Sequence, residues 1–210
     1  MPSLPTLLAF AAAALALLVI PGPSVLYIVT RSVAQGRAAG VVSMFGVHVG
    51  SVVHIVAAIL GVSALLASSA TAFTIVKYLG AGYLVWLGIQ QFRARDVDPT
   101  IATDPVPRRR LFAQGVVVNV LNPKTAIFFL AFLPQFVDPS RGPAPVQLAV
   151  LGGLFILLGI LSDGTYALAA GFLARPLRTA RFRRRLRRSS GAVYLGLGVT
   201  AALSQSRSAA

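Results

Sequence analysis

Two long apolar runs in this chain are each broken by proline, at Pro21-Gly22-Pro23-Ser24 in the first half and at Asn122-Pro123-Lys124 in the second. A proline break frees backbone polar groups that a lipid-facing helix has no means of satisfying. Both breaks must therefore be buried in protein or line a water-filled cavity. Their placement repeats. Phe10 precedes Pro21 by eleven residues and Phe112 precedes Pro123 by eleven, while Gly80-Ala81-Gly82-Tyr83-Leu84 returns as Gly191-Ala192-Val193-Tyr194-Leu195. Interrupted helices paired across duplicated halves point to a secondary transporter whose site lies between the repeats.

The rest of the composition fits a chain that lives in lipid. It is 56% hydrophobic and 11% charged, with a mean hydropathy of +0.79. Apolar runs of about 20 residues, enough to cross a bilayer, recur at about 4–30, 39–67, 70–92, 111–137, 146–174 and 189–205. The expected fold is an all-α integral membrane bundle of six transmembrane helices, built as two inverted three-helix repeats with proline-broken first helices. Residues 1–210 then form a single transporter domain, with repeat one at about 4–92, a cytoplasmic loop at about 93–110 and repeat two at about 111–205. The first run has no Lys or Arg before Arg31 and is too long for a signal peptide, so no cleavage is expected. There is no cysteine, which excludes disulfides and thiolate metal sites.

A net charge of +14 suits nucleic acid until its placement is read. Fifteen of the 19 basic residues fall in three connections: Arg31 and Arg37, then Arg93, Arg95, Arg108, Arg109 and Arg110, then the eight arginines from Arg175 to Arg188. That asymmetry is the positive-inside pattern, and it places both termini outside the cytoplasm. Three spans per half then give the halves opposite orientations. The Arg175–Arg188 run, with Phe182 and Leu186 one turn apart, suits anionic lipid headgroups, and no nucleic-acid partner is expected.

Polar side chains inside the spans are the candidate functional residues. The chain has five acids, all aspartate. Asp96, Asp98 and Asp104 sit in the proline-rich loop and Asp138 ends the fourth span. Asp163 alone is deep, ~16 Å from the cytoplasmic end of its run at the helical rise. Lys124 lies ~20 Å into its own span, just past Pro123. The half-helix restarting there would aim its amides and positive dipole end into the bundle, where a carboxylate is well served. Lys124 otherwise snorkels or pairs directly with Asp163. Asn119 and Asn122 share a helical face and either bind a ligand or satisfy backbone freed by Pro123. Pro21, Gly22, Pro23 and Ser24 form the matching element, as ligand contacts or as a kink. His48 lies between Gly46 and Gly50, and His54 continues that face. Each is a proton relay or an interhelical hydrogen bond.

Enzyme signatures fail. With no glutamate there is no H-E-x-x-H, two histidines make a poor metal site, and one deep aspartate is too few for an intramembrane aspartyl protease. No catalytic residue, metal or cofactor is expected. A metal exporter would need more oxygen or sulfur ligands than Asp163, Met1 and Met44 supply. Two alternatives stay open: a non-transporting assembly or regulatory protein packed through its glycine faces, and an exporter of a solute other than an amino acid. The same glycines suit packing within one subunit or in a homo-oligomer.

Ile20-Pro21-Gly22-Pro23, the stretch Lys77 to Gly88, Asn119-Val120-Leu121-Asn122-Pro123-Lys124-Thr125-Ala126 and Phe132-Leu133-Pro134-Gln135-Phe136 resemble the lysine exporter and homoserine/threonine exporter (LysE/RhtB) family over about residues 5–203. The resemblance implies efflux of amino acids or close derivatives across a bacterial cytoplasmic membrane, driven by the proton gradient. It also implies a carboxylate about seven residues before the tyrosine of the fifth span. Counting back from Tyr166 gives Gly159, and Asp163 stands one helical turn further on. The expected substrate site is thus Pro21, Gly22, Pro23, Ser24, Asn119, Asn122, Pro123, Lys124 and Asp163, with Asp163 binding the substrate ammonium or a proton in competition and His48 assisting the proton.

Overall fold

The computed structural model describes residues 1–68, 75, 78–79, 81–82, 85–86, 89–90, 92–93, 106–177 and 179–203. Every regular element among them is helical: α1 (Leu4–Leu18), α2 (Pro23–Gln35), α3 (Arg37–Ser68), α4 (Arg108–Val120), α5 (Pro123–Ile127), α6 (Ala144–Leu177) and α7 (Ala180–Leu203). The last turns after α5 change pitch, first to a π-turn over Phe128–Phe132 and then to a 3₁₀ turn over Leu133–Phe136.

Two segments, Arg37–Gly61 and Ala144–Ala170, are long and apolar enough to cross a membrane alone. The pairs α1–α2 and Arg108–Phe136 reach that length only as bent units, with angles of 55° and 50° at their breaks. The described residues thus carry two candidate spans, or four if each bent pair crosses once. The expected third span, about 70–92, lies largely outside the described residues, as do Lys77, Tyr83, Arg95, Asp96, Asp98 and Asp104. The expected sixth span falls within α7. That helix begins earlier, so the basic run from Arg181 to Arg188 is continuous with it, and the side chains of Arg181, Arg184, Arg185 and Arg188 are exposed. Arg178 lies outside the described residues.

The polarity of α3 is reversed relative to a soluble helix. Phe45, Val49, Val52, Val53, Val56 and Leu60 face outward, while Ser43, His48, Ser51 and His54 are buried. Such a helix turns its polar groups into the protein and its apolar face to lipid. Glycines then bring α3 and α4 together. A Cβ at Gly46 would overlap the Phe112 carbonyl, one at Gly50 would lie 2.8 Å from Asn119 Cβ, and one at Gly115 would lie 2.6 Å from the Ser43 carbonyl. Gly46 and Gly50 are therefore used for packing inside the subunit.

One end of the bundle is closed by aromatic rings. Phe10 of α1 meets Phe128 at 5.9 Å and Phe136 at 5.3 Å between centroids, and Phe155 of α6 meets Phe128 at 5.2 Å and Phe129 at 4.8 Å. Leu17, Leu133, Leu148 and Leu151 fill the remaining space. Toward the other end, Ile28, Met44, Val47 and Ala167 close the contact of α2, α3 and α6, and Ser32 Oγ donates to the Ala167 carbonyl at 2.6 Å. Between these two apolar layers lie the breaks.

Candidate functional site

In a regular helix the carbonyl of residue i accepts from the N–H of residue i+4. For Leu17 and Val19 that residue is Pro21 and Pro23, and neither proline has an N–H. Both carbonyls are satisfied instead from the second half of the chain. Lys124 Nζ donates to Leu17 O and to Ile20 O, each at 2.7 Å, and Tyr166 Oη donates to Val19 O at 2.6 Å. The sequence expectation had Lys124 waiting for a carboxylate, snorkelling or pairing with Asp163. The structure turns its ammonium onto the C-terminal end of α1, where the helix dipole is negative.

The second break is tied off by asparagine. The half-helices restart at Pro23 and at Pro123, each in the first helical position, so Gly22-Pro23-Ser24 stands where Asn122-Pro123-Lys124 does. The sequence spacing paired Pro21 with Pro123, two residues away from this match. Asn122 is the helix cap of α5, its Oδ1 accepting from the Lys124 amide at 3.1 Å. Of the amides expected to point free into the bundle, that of Lys124 is therefore occupied by its own neighbour. Asn122 Nδ2 donates to Ser24 Oγ at 2.9 Å, and Ser24 Oγ donates to Asn119 Oδ1 at 3.0 Å. Asn119 completes the knot. Its Oδ1 also accepts from Thr125 Oγ1 at 3.1 Å, and its Nδ2 donates to Val47 O and Ser51 Oγ, both at 2.9 Å. An amide side chain has two acceptor and two donor sites, and all four are filled. Asn119 thus joins α2, α3, α4 and α5 as a structural node. His54 Nε2 faces the Asn119 carbonyl at 2.9 Å, so that nitrogen carries the proton and the residue is an interhelical hydrogen bond.

Asp163, on α6, is 3% exposed. Its Oδ2 lies 3.3 Å from His48 Nε2, within ion-pair reach but not aligned as a hydrogen bond. Asp163 Oδ1 and both ring nitrogens of His48 have no hydrogen-bond partner. His48 gains its place from Gly159, where a Cβ would overlap the imidazole. The ring therefore fills the space beside the position at which the family resemblance implies an acid.

These groups surround one cavity of about 30 Å³, with Gly22, Ser24, His48, Ser51, Asn119, Asn122, Lys124, Thr125 and Asp163 in its wall. It has room for on the order of one or two waters. Of the residues singled out in the sequence, Gly22, Ser24, Asn119, Asn122, Lys124, Asp163 and His48 are brought together there. Pro21, Pro23 and Pro123 create the breaks without lining the cavity. Ser51, Thr125, Tyr166 and the carbonyls of Leu17 and Ile20 were not singled out. The spacing of each carbonyl from a proline four residues on is the signal that finds Leu17 and Val19. A larger hollow of about 460 Å³ lies between α2 and α4, lined by Tyr27, Arg31, Arg110, Ala113, Gln114, Val117 and Val118, and touches none of the expected site residues.

Comparison with known proteins agrees with the sequence motifs. The family model described as LysE type translocator matches residues 15–205. An uncharacterized membrane protein of Vibrio cholerae is 32% identical over 193 residues, covering 91% of this chain and 94% of the relative. A homoserine/homoserine lactone efflux protein of Salmonella typhimurium is 33% identical over 179 residues, covering 85% and 86%. A leucine efflux protein of Klebsiella pneumoniae is 26% identical over 204 residues, covering 95% of each. No solved structure matches the chain.

Proposed function

The chain belongs to the LysE type translocators, a family of membrane transporters and not of enzymes, and on that premise we propose that it exports an amino acid or a close derivative in exchange for protons. The observation that carries this reading is the cavity walled by both proline breaks and by one buried acid, Asp163. The relatives' names speak of homoserine, homoserine lactone and leucine efflux. These three solutes share a primary amine beside a carbonyl carbon, whereas the lactone has no free carboxylate. The amine therefore defines the substrate class we propose.

Six spans in two inverted repeats accommodate the site. Similar bends of 55° and 50° in the two halves support the repeat, and the loop charges support termini outside the cytoplasm. The exposed arginines at the start of α7 would then meet anionic headgroups of the inner leaflet. At about 30 Å³ the cavity is smaller than an amino acid, so loading one requires the breaks to move apart. Coupling follows from charge. A proton on Asp163 removes the negative charge that would balance a substrate ammonium in so small and buried a space. Proton and substrate then exclude each other, and neither crosses with the other.

The test is export from cells loaded with a dipeptide panel, at matched membrane expression. Wild-type release of one or a few amines above empty-vector cells, lost in Asp163→Asn, is the expected result. Undiminished export driven by a pH gradient in Asp163→Asn would remove the acid from the mechanism, and no release of any amine would remove the substrate class.

A further inference from the structure

The Lys124 ammonium occupies a site that suits any primary ammonium. Leu17 O and Ile20 O converge on it at 2.7 Å each. Pro21 denies Leu17 its helical donor, and α1 ends there with its negative pole toward the lysine. Leu17 and Lys124 both line the cavity that holds Asp163. A lysine side chain ends in the same –NH₃⁺ group that an amino acid carries on its α-carbon, with three donors and no acceptor.

We propose that the carbonyls of Leu17 and Ile20 are the substrate's ammonium subsite, and that Lys124 fills it as a tethered stand-in when the transporter is empty. This inference rests on the reading of the chain as an amine exporter. Substrate entry is then an exchange of like for like. The incoming ammonium takes the two carbonyls, so no buried acceptor is left unpaired at any stage. The displaced Lys124 remains in the cavity as a cation, able to meet the substrate's carboxylate where one exists. A solute lacking a protonated amine has nothing with which to displace the lysine, and the break stays closed. Selection for the amine and closure of the empty carrier thus come from one pair of hydrogen bonds.

The inference is tested without transport. Lys124→Ala removes three methylenes and the ammonium, the atoms of n-propylammonium. The purified full-length variant in detergent should show a saturable rise in melting temperature with n-propylammonium, and none with n-propanol or tetramethylammonium. Wild-type protein, in which the ligand must first displace the tethered Lys124, should show that rise only at much higher concentration. If Lys124→Ala does not fold unaided, the same panel is read as recovered folded yield during extraction. A response equal in wild type, or equal for n-propanol, would overturn the subsite, as would no response to n-propylammonium in either readout. Failure of the export test with a positive rescue would instead overturn the amine-exporter reading and leave the ammonium site standing.

Discussion

The imidazole of His48 lies against Gly159 so closely that a Cβ at 159 would overlap the ring, and its Nε2 is 3.3 Å from Asp163 Oδ2. Residues 159 and 163 are one turn apart on α6, so the glycine gap and the acid frame the ring from one helix. The missing side chain at 159 is what admits the histidine, and the histidine is what Asp163 faces.

Gly159→Ala should therefore displace His48 from Asp163. Overpacking of this kind costs about 1–3 kcal/mol, and the proposed proton-coupled export should fall with the lost contact. Gly164→Ala is the matched control, since a Cβ there would meet Met44 Sδ at an ordinary 3.6 Å. Export and melting temperature measured for the two variants should separate them clearly. Equal behaviour would mean that the His48 position carries no function.

In the proposed exchange, protons enter as substrate leaves. Raising the external pH shrinks the inward proton gradient, so wild-type efflux should slow as the medium is made alkaline at constant internal pH. Asp163→Asn, which carries no titrating proton, should lose that dependence along with most of the rate. The measurement is initial efflux across a series of external pH values. A variant that keeps the wild-type slope would place the coupling group elsewhere.

Tyr166→Phe deletes the hydroxyl that donates to Val19 O. The carbonyl has no helical alternative, because its donor position is Pro23. The bond is exposed on the protein surface; in the lipid-facing position proposed for it no water replaces the hydroxyl, and leaving the carbonyl unpaired there costs about 1–3 kcal/mol, to be read as a fall in melting temperature. Thr165→Val, next in the chain but exposed and bonded only back to Leu161 O among the contacts described, should change little. An unaltered Tyr166→Phe would mean that another donor reaches Val19.

Much of this candidate site is legible in the sequence. Prolines inside apolar runs located both breaks, and the rule that buried acids are functional singled out Asp163. The partners of the freed groups were not legible, because they depend on which helices meet. The sequence offers Lys124 a ligand carboxylate, a snorkelling path or Asp163, but not the Leu17 carbonyl that Pro21 orphans and that the lysine satisfies. Asn119 and Asn122, equal in the sequence, separated into a four-way node and a helix cap once α3 lay against α4. The register in which the two breaks correspond is not legible either. Pro21 and Pro23 both fit the pattern, and only the N-terminal position of Pro23 in α2 chooses between them.

The separation of the two asparagines gives the sharpest stability prediction. Asn119 Nδ2 donates to the Val47 carbonyl and to Ser51 Oγ, so Asn119→Asp would set a charged acceptor against a carbonyl oxygen in a buried site. Its other oxygen would keep the bonds from Ser24 and Thr125. Asn122→Asp alters less, because its acceptor bond to the Lys124 amide survives and its one donor bond is to a hydroxyl. The Ser24 hydroxyl can rotate to donate to the new carboxylate, giving up only its bond to Asn119. Each buried polar group left unpaired costs about 1–3 kcal/mol, and more where a charge is involved. Asn119→Asp should therefore lose folded yield on size-exclusion chromatography where Asn122→Asp keeps a measurable melting transition. The reverse order would show that the α5 cap, and not the Asn119 node, holds the two halves together.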